Sequence, residues 1–84
     1  MWSVYLVECS DATLYCGIAK DVEARVAKHD AGKGAKYTRG RGPVRLLCSQ
    51  GSLTKSEALK LEIKVKKQPR DSKERFLREW KTSK

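Results

Sequence analysis

Eighty-four residues, 39% of them hydrophobic and 35% charged, are enough for one small domain over residues 1–84 with a modest core, and too few for a second. No apolar run approaches the ~18–20 residues of a membrane-spanning helix and no basic-then-apolar leader opens the chain, so a membrane protein is excluded and a cytoplasmic location is expected. The net charge of +9 favours nucleic acid as partner, because phosphates bind lysine and arginine through counterion release, but it says nothing about catalysis.

Trp2 to Cys9 reads as a strand, Ser10-Asp11-Ala12 supplies turn chemistry, and Thr13 to Ala19 reads as the returning strand of a hairpin. Asp21 is a good N-cap for a short helix over Val22 to Asp30, which Gly32 and Gly34 end. Lys33 to Arg45, "KGAKYTRGRGPVR", carries five basic residues, three glycines and a proline, and is read as a loop. Arg45 to Ser49 is a third strand, and Gly51 and Ser52 turn the chain. Thr54 caps a second helix that runs to about Lys67, with Glu57 completing a capping box. Pro69 breaks it, and Ser72 starts a last helix with Phe76, Leu77 and Trp80 as its apolar stripe. The order β-β-α-β-α-α predicts an α+β domain on a small, mostly antiparallel three-stranded sheet flanked by helices. Cys9, Cys16 and Cys48 are odd in number, lie in apolar runs and lack C-x-x-C spacing, so they are read as reduced structural thiols.

Three features strain a purely structural reading. In the second helix, a wheel with Ala58 at zero puts Leu61 at about 300°, Val65 at about 340°, Leu59 at about 100° and Ile63 at about 140°, and Glu62 at about 40° falls inside this broad apolar arc. A carboxylate there needs a buried ion pair, a bound cation such as Mg²⁺, or a route round the flank to water. In the first helix, Arg25 and His29 are neighbours one turn apart on the side of Val22 and Val26. Arg25 could clamp a phosphate or pair with Glu62 or Glu8, and His29 could be a satisfied structural histidine. In the hairpin, Tyr5 and Tyr15 share a face only if paired residue numbers sum to an even value. Cys9 opposite Thr13 around a three-residue turn achieves this, whereas a two-residue Asp11-Ala12 turn separates them.

Ser3-Val4-Tyr5, Tyr15-Cys16-Gly17, Arg25, His29 and Glu62 in "SEALKLEIKVKK", taken in this order, resemble the GIY-YIG nuclease superfamily, and most of all its small stand-alone single-domain bacterial members. The stretch Gly32 to Arg39 is similar to that branch in particular. The resemblance implies a divalent-metal-dependent endonuclease that hydrolyses phosphodiester bonds in DNA, with structure preference or low sequence specificity, in repair or processing. It implies that Tyr5 orders the site, Tyr15 helps activate the attacking water, Arg25 binds the scissile phosphate, His29 assists, and Glu62 holds one Mg²⁺ or Mn²⁺. Lys33, Lys36, Arg39, Arg41 and Arg45 would track the phosphate backbone and Tyr37 could stack on a base; the plainer reading is a solvated loop. Lys64, Lys66, Lys67, Arg70, Lys73, Arg75 and Arg78 are read as surface charge widening the field. The partner expected is nucleic acid, DNA ahead of RNA, with the oligomeric state open. The alternative is a non-catalytic nucleic-acid-binding module with a vestigial nuclease site.

Overall fold

The hairpin forms in the even register. In a computed structural model that describes residues 1–31 and 43–80, β1 (Trp2–Glu8) pairs antiparallel with β2 (Leu14–Ala19), Tyr5 opposite Gly17 and Val7 opposite Tyr15. The turn is the three-residue one: the Cys9 amide donates to the Thr13 carbonyl and the Ala12 amide to the Cys9 carbonyl, with Ala12 at φ 68°. This is a type I turn followed by a left-handed residue, the usual three-residue hairpin loop. The Asp11 carboxylate accepts from both the amide and the hydroxyl of Thr13, and the Arg70 guanidinium donates to the Ala12 carbonyl.

After α1 (Val22–Asp30), capped by the Asp21 carboxylate accepting from the Ala24 amide, the described chain resumes at residue 43. Val44 is tied back to the helix, its amide donating to the Asp30 carboxylate at 3.0 Å. β3 (Arg45–Leu53) pairs antiparallel with β1, giving the sheet order β2-β1-β3. The sequence reading ends this strand at Ser49 and turns the chain at Gly51-Ser52; the structure corrects both. Trp2 faces Leu53 and Val4 faces Gln50, so Gly51 and Ser52 together oppose Ser3 alone. The turn signal becomes a bulge, with Ser52 at φ 62°, and the strand continues.

α2 (Lys55–Lys66) begins with the expected capping box: the Glu57 amide donates to the Thr54 hydroxyl and the Thr54 amide to the Glu57 carboxylate. α3 (Arg70–Arg78) starts two residues before the predicted Ser72, with Pro69 at the N-cap. Proline breaks α2 as expected, but its missing N–H costs nothing at a helix start, so the next helix begins directly after it. Several cations read as surface charge stitch the elements together. Lys73 donates to the Val65 and Lys66 carbonyls at the end of α2, and Arg78 donates to the Leu47 carbonyl of β3.

The result is the expected α+β order, β-β-α-β-α-α, with a core on each face of the sheet. Val4, Leu6 and Cys16 pack with Leu53, Ala58, Leu61, Val65 and Leu77 on the side of α2 and α3. Tyr5, Val7 and Ala19 pack with Val22, Val26 and Tyr15 on the side of α1. The three cysteines are free thiols, Cys9 and Cys16 buried and Cys48 half-buried. Burial, with the charge of Glu62 second, pushes the Cys16 thiol up to about 12.

Candidate active site

The smaller core is the polar one. Tyr5 projects from the central strand, Tyr15 from its neighbour on the same face, and His29 descends from α1 beside Val22 and Val26. The three rings form a triangle with centroids 6.4 Å (Tyr5–Tyr15), 5.9 Å (Tyr5–His29) and 5.2 Å (Tyr15–His29) apart. Gly17, directly opposite Tyr5, makes the triangle possible. A Cβ there would stand 2.6 Å from the Tyr5 hydroxyl and 2.8 Å from its Cζ. The glycine is required because the Tyr5 ring lies across its backbone, a close approach rather than a turn.

Tyr5 and His29 are 2% and 1% exposed, and the Tyr5 Oη stands 2.8 Å from His29 Nε2. Burial raises the Tyr5 phenol above its ordinary range, helped by Tyr15 and Glu62 and opposed by Arg25. Burial and then Arg25 lower His29. Both groups are therefore neutral near pH 7, and they share a hydrogen bond in which the imidazole tautomer sets the donor. Tyr15 is only half-buried and forms the open side of the triangle, next to a cleft with Cys16, Lys66 and Lys73.

Arg25 is exposed on α1, one turn before His29, and among the described residues it makes no ion pair. Neither partner suggested for it is available, because Glu8 pairs with Arg45 at 2.8 Å and with Arg70 at 3.6 Å, while Glu62 pairs with Lys66 at 3.6 Å. Glu62 stands on α2, which packs on the other side of the sheet. Leu59 and Ile63 turn out to be exposed, so the buried stripe is Ala58–Leu61–Val65 and Glu62 stands at its border, its side chain 17% exposed. The broad apolar arc of the sequence reading is thus corrected to a narrow one. The Glu62 charge still acts on both Tyr5 and Cys16.

Among the described residues no group of three or more histidine, cysteine or acidic side chains converges as a metal cage. A single half-buried carboxylate does suit Mg²⁺, which keeps several waters and completes its shell with substrate phosphate. Lys66, taken from sequence as surface charge, is the cation now beside that carboxylate, and its i, i+4 spacing from Glu62 is the signal that could have marked it. Of the basic loop, Lys33, Lys36, Tyr37, Arg39 and Arg41 lie outside the described residues. Arg45 opens β3, where its guanidinium is held by Glu8.

Comparison with known proteins gives a consistent result. The family model described as the GIY-YIG catalytic domain matches residues 1–75. A UPF0213 protein of Staphylococcus aureus is 54% identical over 76 residues, covering 90% of this chain and 93% of that protein. The solution structure of the UPF0213 protein BH0048 from Bacillus halodurans is similar with a TM-score of 0.56 at 46% identity, over 93% of this chain and 84% of that one. The solution structure of EF2693 from E. faecalis is similar with a TM-score of 0.61 at 34% identity, over 98% and 92%.

Proposed function

Since this chain belongs to the GIY-YIG catalytic-domain family, a family of nucleases, we propose that it is a divalent-metal-dependent endonuclease that hydrolyses phosphodiester bonds in DNA. Structure preference or low sequence specificity, a role in repair or processing and a cytoplasmic location complete the reading. The observation that carries it is the convergence of two phenols and an imidazole on one sheet face, with Arg25 exposed one turn before the imidazole on the same helix.

Hydrolysis needs a positioned nucleophile, charge neutralisation at phosphorus and a stabilised leaving oxygen. The half-buried Tyr15 is the phenol a solvent molecule can reach; its Oη orients the attacking water and, acting as the phenolate, takes the proton that water loses and ends the step as the neutral phenol. Tyr5 and His29 stand behind it as a neutral, hydrogen-bonded pair that fixes the ring geometry and belongs to the relay. Arg25, exposed and without a carboxylate partner among the described residues, would neutralise the non-bridging oxygens. Glu62 would hold the one Mg²⁺ or Mn²⁺, whose bound chemistry is neutralisation of the phosphate and leaving-oxygen charge.

A Mg²⁺-dependent nicking assay on single-stranded, branched and duplex DNA tests this. Cleavage should fall by about 10²–10³-fold in Arg25→Ala and in Glu62→Gln, with binding retained in Glu62→Gln and weakened far less than cleavage in Arg25→Ala. Binding without cleavage, at every divalent ion and pH tried, would reduce the protein to a nucleic-acid-binding module.

A further inference from the structure

Away from the aromatic triangle, a groove of about 290 Å³ is lined by Trp2 of β1 and Ala24 of α1. Ala19 lines it as well, and Lys20, Arg25 and Lys28 supply its charge. Asp21 also lines the groove, but its carboxylate is already committed to the helix, accepting from the Ala24 amide at 3.1 Å. Trp2 is half-buried and has two ammonium groups over its ring, Lys20 Nζ at 5.5 Å and Lys55 Nζ at 5.4 Å from the centroid.

We propose that this groove binds one unpaired nucleotide of the substrate strand, its base stacked on Trp2 and its flanking phosphates on Lys20, Lys28 and Arg25. The proposal rests on the nuclease reading above for the identity of the polymer. The groove carries the two features by which single strands are held without sequence readout, an aromatic platform and a track of cations. Its volume is at the small end of ligand sites, about 300 Å³ upward, which suits one nucleotide and not a duplex. A base lying on Trp2 must have left its own stack, so the groove selects strands that are open at that point. A base arriving on the indole displaces an ammonium group from it, and Lys20, which also lines the groove, is then free for the phosphate. Arg25 belongs to both the groove and the proposed catalytic site, so the nucleotide on Trp2 is adjacent to the one whose phosphate is cut.

The experiment uses the full chain carrying Trp80→Phe, which leaves Trp2 as the single tryptophan, in a chelator so that no cleavage occurs. A short oligothymidylate should quench Trp2 emission, and a blunt duplex of equal length should not. With a labelled oligothymidylate, Trp2→Leu should weaken binding roughly tenfold. Trp2→Phe, which keeps a stacking ring, should recover most of that loss, and circular dichroism checks that each variant is folded. Lys28→Ala should lower the salt dependence of binding by about one unit of slope. Binding with unchanged Trp2 emission, or equal affinity in parent and Trp2→Leu, overturns the groove whether or not the protein cuts DNA. Quenching with no cleavage under any condition leaves the groove standing and removes the nuclease.

Discussion

The two faces of one three-stranded sheet are filled by different chemistry. Under α2 and α3 the filling is aliphatic and dry, with Val4, Leu6, Leu61, Val65 and Leu77 all nearly inaccessible. Under α1, two phenols and an imidazole pack among Val7, Ala19, Val22 and Val26, with Tyr5 hydrogen-bonded to His29 and given room by the side chain that Gly17 lacks. Alternation along β1 sends Val4 and Leu6 one way and Tyr5 and Val7 the other. The strands thus separate the aliphatic residues that stabilise the fold from the aromatic part of the proposed site, with Glu62 alone approaching from the aliphatic side, and a change within one core should leave the other largely intact.

The largest expected effect that tests this separation is on the aliphatic side. Leu61→Ala should cost about 2–5 kcal/mol, read by urea unfolding, because a fully enclosed leucine leaves a cavity its neighbours fill only in part. A loss below about 1 kcal/mol would mean that the two cores are not unequal in the way described. Gly17→Ala should cost less, about 1–3 kcal/mol, since the new methyl group pushes on a rigid buried ring. Its sharper signature is displacement of the Tyr5 and His29 resonances in an NMR spectrum while those of Leu61 and Val65 stay put.

The smallest effect is in the pH dependence of stability. His29 is lowered in the fold, so below its unfolded value of about 6.5 the unfolded chain takes up a proton first. Stability should be fully present above that value and should fall as the pH drops through it towards the folded value, by at most about 1.4 kcal/mol per pH unit. Tyr5 is raised, so the mirror-image loss should set in above about pH 10. His29→Gln should flatten the acid limb of a denaturation-versus-pH profile and leave the alkaline limb. An unchanged acid limb would show that the imidazole is not held neutral by the fold.

What could be read from the sequence was whatever is decided locally. The three-residue turn, the Asp21 cap and the Thr54–Glu57 capping box each depend on a few adjacent side chains, and each formed as expected. Counting residues showed which turn length would put the two tyrosines on one face, and the observed pairing selects it. The Gly51-Ser52 signal was real but ambiguous, because the backbone freedom that makes a turn also makes a bulge, and only pairing with β1 decides between them. Arg25, His29 and Glu62 were legible as misfits on their helix faces. That Glu8 would take Arg45 and Arg70, leaving Arg25 without it, depends on contacts far apart in the chain. The Trp2 groove was invisible for the same reason: its residues come from β1, β2 and α1, and none is unusual alone.

The three-residue turn at Ser10–Ala12 has a consequence for how such proteins can diverge. Because the two tyrosines share a face only while that count keeps its parity, the loop tip can lengthen or shorten by pairs of residues, or by one residue with a compensating bulge, and otherwise not at all. Losing a single residue there would send Tyr15 into the aliphatic layer and bring the Cys16 thiol round to meet His29, disabling the site without touching a residue in it.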